Sequence, residues 1–136
     1  RLFSADAEFL FKEGGIIQTL KILKSAFDAR WLKLEIADHF EDYTDNVANQ
    51  WVIINERKYV IYDGLKAPET EWKIATERLS SLLNSEFELQ GSEERVYQIN
   101  EGNDSQFVFL TTPMFDFLIS SDIESEWKPI RYSPSE

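Results

Sequence analysis

The hydrophobic positions change period along the chain, and each change marks a predicted element. After a pair of glycines, apolar residues recur every three or four positions over 16–27, which predicts an amphipathic helix. Over 31–36 apolar and polar residues alternate, as in a strand with one buried side. The stretch 38–50 is polar, and we expect a loop at its middle. Beyond it, 51–54 and 59–62 are rich in β-branched and aromatic residues and predict a tight hairpin.

The second half repeats this succession of helix and strands. An apolar stripe at helical spacing predicts a second helix that starts near Pro68 and ends at Asn84. Three short segments, 86–90, 95–99 and 106–111, are candidate strands, and the last two form a predicted second hairpin. Two or three further strands are therefore expected after the second helix.

The order of elements predicts the fold class. A short helix is expected after Pro113, and we expect 120–136 to form a loosely packed tail. Helices and strands do not alternate regularly, which argues against a parallel sheet. We predict one α+β domain over 1–136, with a mainly antiparallel sheet of five to six strands, two main helices on one face and a short C-terminal helix.

Charge and composition narrow the class of partner. The chain has 14 Lys and Arg against 25 Asp and Glu, a net charge of -11, and no Cys. An acidic protein is repelled by nucleic acids and by anionic membrane surfaces, so we expect neither as a partner. Apolar runs are much shorter than the ~20 residues that span a bilayer. Without disulfides or thiols, a reducing, cytoplasmic location is favoured.

The sequence shows no constellation of catalytic or metal-binding residues. His39 is the single imidazole and lacks the paired spacing of a zinc site, and the acids that follow it lack the pattern of a calcium loop. There is no nucleophile motif, and Gly14-Gly15 lacks the residues of a phosphate loop. We therefore predict no catalytic residue, no metal and no cofactor.

The acidic residues are unevenly placed. Residues 79–136 carry 3 basic and 11 acidic side chains, and 35–45 contains five acids with no Lys or Arg. Aromatic residues lie among these acids, and rings surrounded by carboxylates are suited to a basic protein partner. Solubility alone also favours net charge, which leaves solvation as the alternative. The predicted partner-binding residues are Glu35, Asp38, Glu41, Asp42, Tyr43, Asp45, Asp122, Glu124, Glu126, Trp127 and Tyr132.

These features predict a non-catalytic module that binds and inhibits a basic partner such as a nuclease toxin. In size, charge and lack of evident chemistry the chain resembles bacterial toxin-immunity proteins. The order of elements over about 15–120 also looks like that of the type III secretion chaperones, a resemblance that implies an acidic dimer holding a segment of a secreted effector. A third hypothesis is an enzyme or small-ligand carrier with a pocket near His39.

Overall fold

The computed structural model describes residues 2–4, 10, 12–66, 68, 72–99 and 106–131. These residues form three helices and seven strands, together with short helical turns at Thr44–Asn46 and Ser125–Trp127. In chain order the elements are β1 (Leu2–Ser4), α1 (Gly15–Asp28), β2 (Ile36–Asp42), β3 (Val47–Ile54), β4 (Arg57–Lys66), α2 (Trp72–Leu89), β5 (Arg95–Ile99), β6 (Gln106–Leu110), α3 (Thr112–Ser120) and β7 (Ile130–Arg131). The predicted α+β class is confirmed.

The strands form two antiparallel sheets instead of the single sheet of five to six strands that we expected. One sheet has the order β2-β3-β4, and the other has the order β1-β6-β5-β7. The β5–β6 hairpin builds its own sheet because it pairs with β1 on one side and with β7 on the other. These two partners are only three and two residues long, so no local alternation marks them in the sequence.

One main hydrophobic core joins both sheets to α1 and α2. Along β3 the burial alternates, so that one face of the three-stranded sheet contributes Val52 and Ile54 to this core. Phe27 of α1 stacks on Phe87 of α2 with 4.8 Å between ring centroids, and Phe109 of β6 meets Phe87 edge-on at 5.0 Å. The aromatic contacts therefore connect elements that lie far apart in the sequence.

The end of α1 differs from the prediction. Trp31, which we expected to begin a strand, has a positive φ of 60° and ends the helix: its N–H donates to the Asp28 carbonyl at 3.0 Å, and that of Leu32 donates to the Phe27 carbonyl at 2.9 Å. This is the Schellman pattern of helix ends. The chain then runs without strand pairing until β2 begins at Ile36.

The second helix is longer than predicted, and the expected strand at 86–90 is wrong. Phe87 continues the buried stripe of Leu79 and Leu83 at four-residue spacing, so burial favours further helix over a break at Asn84. Gly91, with φ of 74°, follows the helix. The Asn84 side chain instead accepts a hydrogen bond from the Val96 N–H at 2.7 Å.

The third helix is confirmed and covers the second face of the four-stranded sheet. The Thr111 side chain accepts a hydrogen bond from the Met114 N–H, and Pro113 lies in the first turn. Met114 and neighbouring side chains pack on a small cluster formed by Tyr97, Ile99, Val108 and Leu110. Within the described residues, no helix combines the length and the apolar character needed to cross a bilayer. The predicted hairpin loop at 100–104 lies outside those residues.

Candidate binding surface

One face of the three-stranded sheet is open. On β3, Val52 and Ile54 are buried, whereas the intervening Trp51 and Ile53 are partly exposed. The helices α1 and α2 share a core with the buried face, so the other face is directed away from them. We call this surface the open face, and it is formed by Asp38, Phe40 and Asp42 of β2, Asn49, Trp51 and Ile53 of β3, and Lys58, Val60 and Asp63 of β4.

An apolar row crosses the middle of the open face. Register places Phe40 opposite Trp51 and Trp51 opposite Val60. The rings of Phe40 and Trp51 stack with centroids 6.0 Å apart and planes 17° apart. Phe40 is 43% exposed and Val60 is 42% exposed, and neither belongs to a hydrophobic core cluster. The row therefore presents large apolar surface to solvent at the centre of the open face.

Polar rows flank the apolar row on both sides. On one side Asp38, Ile53 and Lys58 lie in register, and the Lys58 ammonium lies 5.1 Å from the centre of the Trp51 ring. On the other side Asp42 pairs with Asn49 across the ladder, and Asp63 is exposed nearby on β4. Among the described residues, none of the open face's carboxylates takes part in an ion pair. The face therefore has more negative than positive charge around its rings.

Two of the predicted binding residues are directed inward instead. The Glu41 carboxylate accepts hydrogen bonds from the Gly14 N–H at 3.0 and 3.1 Å, from the Gln50 amide at 3.1 Å and from the Tyr43 hydroxyl at 3.3 Å. Burial and the nearby Glu41 carboxylate raise the pKa of Tyr43, and the same two causes raise the pKa of Tyr62 to about 12. Glu41 thus occupies the N-terminus of α1, where an external anion would otherwise bind.

The other predicted residues lie at three places. Glu35 is exposed and forms an ion pair with Lys33 at 3.5 Å, ahead of β2. Asp45 is exposed at the tip of the β2–β3 connection, with φ of 57°. Asp122 and Glu124 are exposed in the segment after α3. In that segment Trp127 is 49% exposed, whereas the Glu126 side chain and Tyr132 lie outside the described residues.

A second apolar surface lies on α3. No residue of this helix is fully buried, and Phe117 is 71% exposed. An open depression of about 340 Å³ is lined by Pro113, Met114, Phe117 and Leu118. The residues around Phe117 alternate in a way that also fits a strand. The sequence pattern therefore did not indicate that they form an exposed surface on a helix.

A buried carboxylate at Glu86 is structural. It accepts hydrogen bonds from the Arg57 guanidinium at 2.7 and 2.9 Å, from the Asn55 amide at 2.6 Å and from the Tyr59 hydroxyl. Gln90, which directly follows the end of α2, donates to it at 3.2 Å. These hydrogen bonds connect the β3–β4 hairpin to α2. Because the Glu86 side chain is fully buried and its acceptor sites are occupied, a substrate cannot reach it.

His39 lies exposed on β2, and its backbone N–H donates to the Asp38 carboxylate at 2.8 Å. In the part of the chain that the structure describes, no group of three His, Asp or Glu side chains is placed to hold a metal ion. The depression described above lies on α3, away from this strand.

The sequence patterns missed the aromatic residues at the centre of the open face. Trp51 lies in a strand that is apolar on both faces, a pattern typical of a strand that is buried on both sides. A strand with one buried face and one exposed apolar face produces the same pattern. The sequence pattern likewise gives no sign that the Trp31 side chain is 97% exposed.

Comparisons with protein-family models, with curated proteins and with solved structures find no match for this chain.

Proposed function

We propose that this chain is a non-catalytic module that binds a positively charged protein surface through its open face. Inhibition of a basic partner, such as a nuclease toxin, is the role that fits this chemistry best. The observation that carries the proposal is the exposed row of Phe40, Trp51 and Val60, which lies between the carboxylates of Asp38 and Asp42.

Each part of this surface has a distinct energetic task. Aromatic rings on a rigid sheet lose little conformational freedom on binding and provide buried area at the centre of an interface. The surrounding carboxylates and the net charge of -11 attract a basic partner over a long range and raise the association rate. In a nuclease cleft, carboxylates would occupy the positions that phosphates take in the substrate.

The size of the face suggests that the neighbouring turn also takes part. With strands about 4.8 Å apart and a rise of about 3.3 Å per residue, the seven residues of β2 and their neighbours cover roughly 300 Å². A stable interface buries about 800 Å² on each partner. The turn Thr44–Asn46, which carries the exposed Asp45, adjoins the face and can contribute to the remainder.

Inhibition is tested with the product of the reading frame next to the gene. Cells that express this product are grown with and without the chain, and the association and dissociation rates of the purified pair are measured at low and high salt. We expect growth only with the chain. The variant Asp42→Lys/Asp45→Lys, in which two charges are reversed, should slow association at low salt. The variant Trp51→Ala should speed dissociation.

The matched control is Glu88→Lys, which reverses an exposed charge on α2, on the other side of the sheet. Like the reversals at the open face, this substitution makes the net charge less negative, but it lies outside the open face. Equal effects of this control and of the reversals at the open face, or an unchanged dissociation rate in folded Trp51→Ala, would remove the open face from the proposal.

A chaperone-like function is the second candidate. The observed order from α1 to α3 agrees with the order in the type III secretion chaperones that the chain resembles, and α3 exposes further apolar surface at Phe117. This candidate predicts a stable dimer that binds an unfolded effector segment. Sedimentation equilibrium distinguishes the two, because a stable dimer at micromolar concentration favours the chaperone and a monomer favours the inhibitor.

A further inference from the structure

Strand β2 leaves one side of its backbone exposed. Within the part of the chain that the structure describes, β2 pairs only with β3. The four consecutive residues 37–40 are all exposed, whereas burial alternates strictly on β3. Consecutive exposure means that solvent reaches both faces of this strand and its outer edge. The edge of a sheet presents backbone N–H and C=O groups that can accept another strand. On β2 the His39 N–H donates to the Asp38 carboxylate at 2.8 Å, a contact that an added strand would replace.

The charged side chains that protect the edge of β2 are all acidic, namely Asp38, Glu41 and Asp42, so they repel an acidic strand but not a basic one. The sequence of β2 contains neither Pro nor Lys, the residues that most often block the addition of a strand. Its irregularity in pairing lies at the start, between Ile36 and Asp38, and the register with β3 is continuous from Asp38 to Asp42. Along this stretch the backbone groups of alternate residues thus point outward at regular spacing, as a template for another strand.

We propose that the partner adds an extended segment bearing Lys or Arg to the edge of β2, as a fourth strand of this sheet. The inference rests on the proposed function and specifies which part of the partner makes the contact. Side chains on adjacent strands lie directly opposite one another on the same face. The added strand would therefore place a cation beside Asp38, an apolar side chain beside Phe40 and a second cation beside Asp42.

Charge complementarity supports this occupant over others. No Lys or Arg occurs from 34 to 56, so the carboxylates of β2 and of the following turn have no Lys or Arg near them in the sequence. β3 carries no charged side chain, and His39 is the one imidazole in this stretch. A second copy of the chain, paired edge to edge, would bring Asp38 and Asp42 against equivalent carboxylates. Like charges directly opposite one another destabilise a strand pair.

The experiment uses a peptide whose central sequence is Lys-Thr-Val-Thr-Lys, with neutral flanks that match the length of β2. Calorimetry at low salt measures binding, and hydrogen–deuterium exchange measures the protection of individual amides. We expect binding, with exchange of the outward-pointing amides within 38–42 slowed at least about tenfold and exchange in α2 unchanged. A peptide with Glu in place of both Lys should not bind.

Two N-methylated forms of the peptide test strand addition itself. Each carries methyl groups on alternate amides, so that one edge of the peptide loses its donors while charge and side chains stay the same. We expect the form methylated on the pairing edge to bind at least about tenfold more weakly than the other form. On the protein, Asp38→Lys/Asp42→Lys should weaken binding by a similar factor, with Glu88→Lys as control and circular dichroism confirming the fold.

Three results would overturn the inference. The first is equal binding by all methylated and unmethylated peptides, which would mean attraction to the sheet without strand pairing. The second is no binding of the Lys peptide. The third is concentration-dependent protection of 38–42 without peptide, which would assign the edge to a second copy. None of them decides the proposed function, because that function is tested separately with the folded partner and Trp51→Ala.

Discussion

At the scale of single residues, Trp31 is the position where conformation and residue type disagree most. It follows α1 with φ of 60°, at the point of the Schellman pattern where glycine is usual. Its side chain is 97% exposed, so packing within the described structure does little to offset the strain of a left-handed tryptophan. An exposed aromatic residue held in a strained conformation is a candidate contact for a partner.

Replacing Trp31 by Gly should therefore stabilise the protein. We expect the free energy of unfolding to rise by about 1 kcal/mol, because glycine adopts positive φ without a clash at Cβ. Urea denaturation followed by circular dichroism measures the change. The control is Trp31→Ala, which removes the indole but keeps Cβ, and it should leave stability nearly unchanged. If Ala stabilised as much as Gly, exposure of the ring and not the backbone would be the cause.

At the scale of elements, the Glu86 carboxylate joins the β3–β4 hairpin to α2. Burial raises the pKa of this carboxyl, but hydrogen bonds from Arg57, Tyr59 and Asn55 together outweigh burial, so its pKa lies below the usual range. A carboxyl with a lowered folded pKa stabilises the fold above its unfolded pKa. This contribution is lost as the pH falls through the folded value.

Glu86→Gln should lower the free energy of unfolding at pH 7 by about 1.5 to 3 kcal/mol, since it removes the charge that accepts the Arg57 hydrogen bonds. The difference from the wild type should shrink as the pH falls below about 4.5, where the wild-type carboxyl begins to be protonated in the unfolded chain. Urea titrations at several pH values test both statements. Glu88→Gln, exposed on the same helix, should change stability by less than about 0.5 kcal/mol. A pH-independent difference would contradict this role of the charge.

Element by element, the sequence predicts local structure well and distant pairing poorly. The helical stripe of α1 and the hairpin turn at Asn55 follow from periodicity and turn chemistry, because both depend on neighbours in the chain. By contrast, β1 and β7 depend on β6 and β5, which lie far along the sequence. The polar strand β2 extends into the segment whose middle we expected to be a loop, because an edge strand tolerates polar residues that a central strand does not.

The residues of the open face could be predicted in part, for a related reason. Exposed acids such as Asp38 and Asp45 can be inferred from composition, since isolated carboxylates are rarely buried. Whether a side chain points to the open face or to the core depends on strand register. Without the strand register, the sequence does not show that Glu41 accepts a hydrogen bond at the N-terminus of α1 whereas its neighbour Asp42 lies on the open face.

At the scale of the whole molecule, unbalanced charge acts in opposite directions on folding and on binding. The net charge is -11, and among the described residues the acids in ion pairs are Asp28, Glu35, Glu86 and Glu94. The remaining carboxylates repel one another more strongly in the compact state than in the unfolded chain. The same carboxylates would attract a positively charged protein.

Raising NaCl from about 0.01 M to about 0.5 M at pH 7 should therefore raise the melting temperature, because the screening length falls from about 30 Å to below about 8 Å. Association with a basic partner should slow over the same range. Scanning calorimetry and association kinetics measure the two effects on one preparation. Sucrose at matched osmolality controls for effects on surface hydration. A melting temperature that fell with NaCl would show that attractive ion pairs outweigh the repulsion.

The composition of β3 has a consequence for the fate of misfolded chains. Its eight residues, Val47–Ile54, include Trp, Val and Ile and contain no charged side chain or proline, which is the signature of segments that form amyloid. In the native sheet β3 is paired along both edges, with β2 on one side and with β4 on the other. The charged flanking strands thus serve as gatekeepers, and a partial opening that detached β2 would uncover the segment most able to seed fibrils.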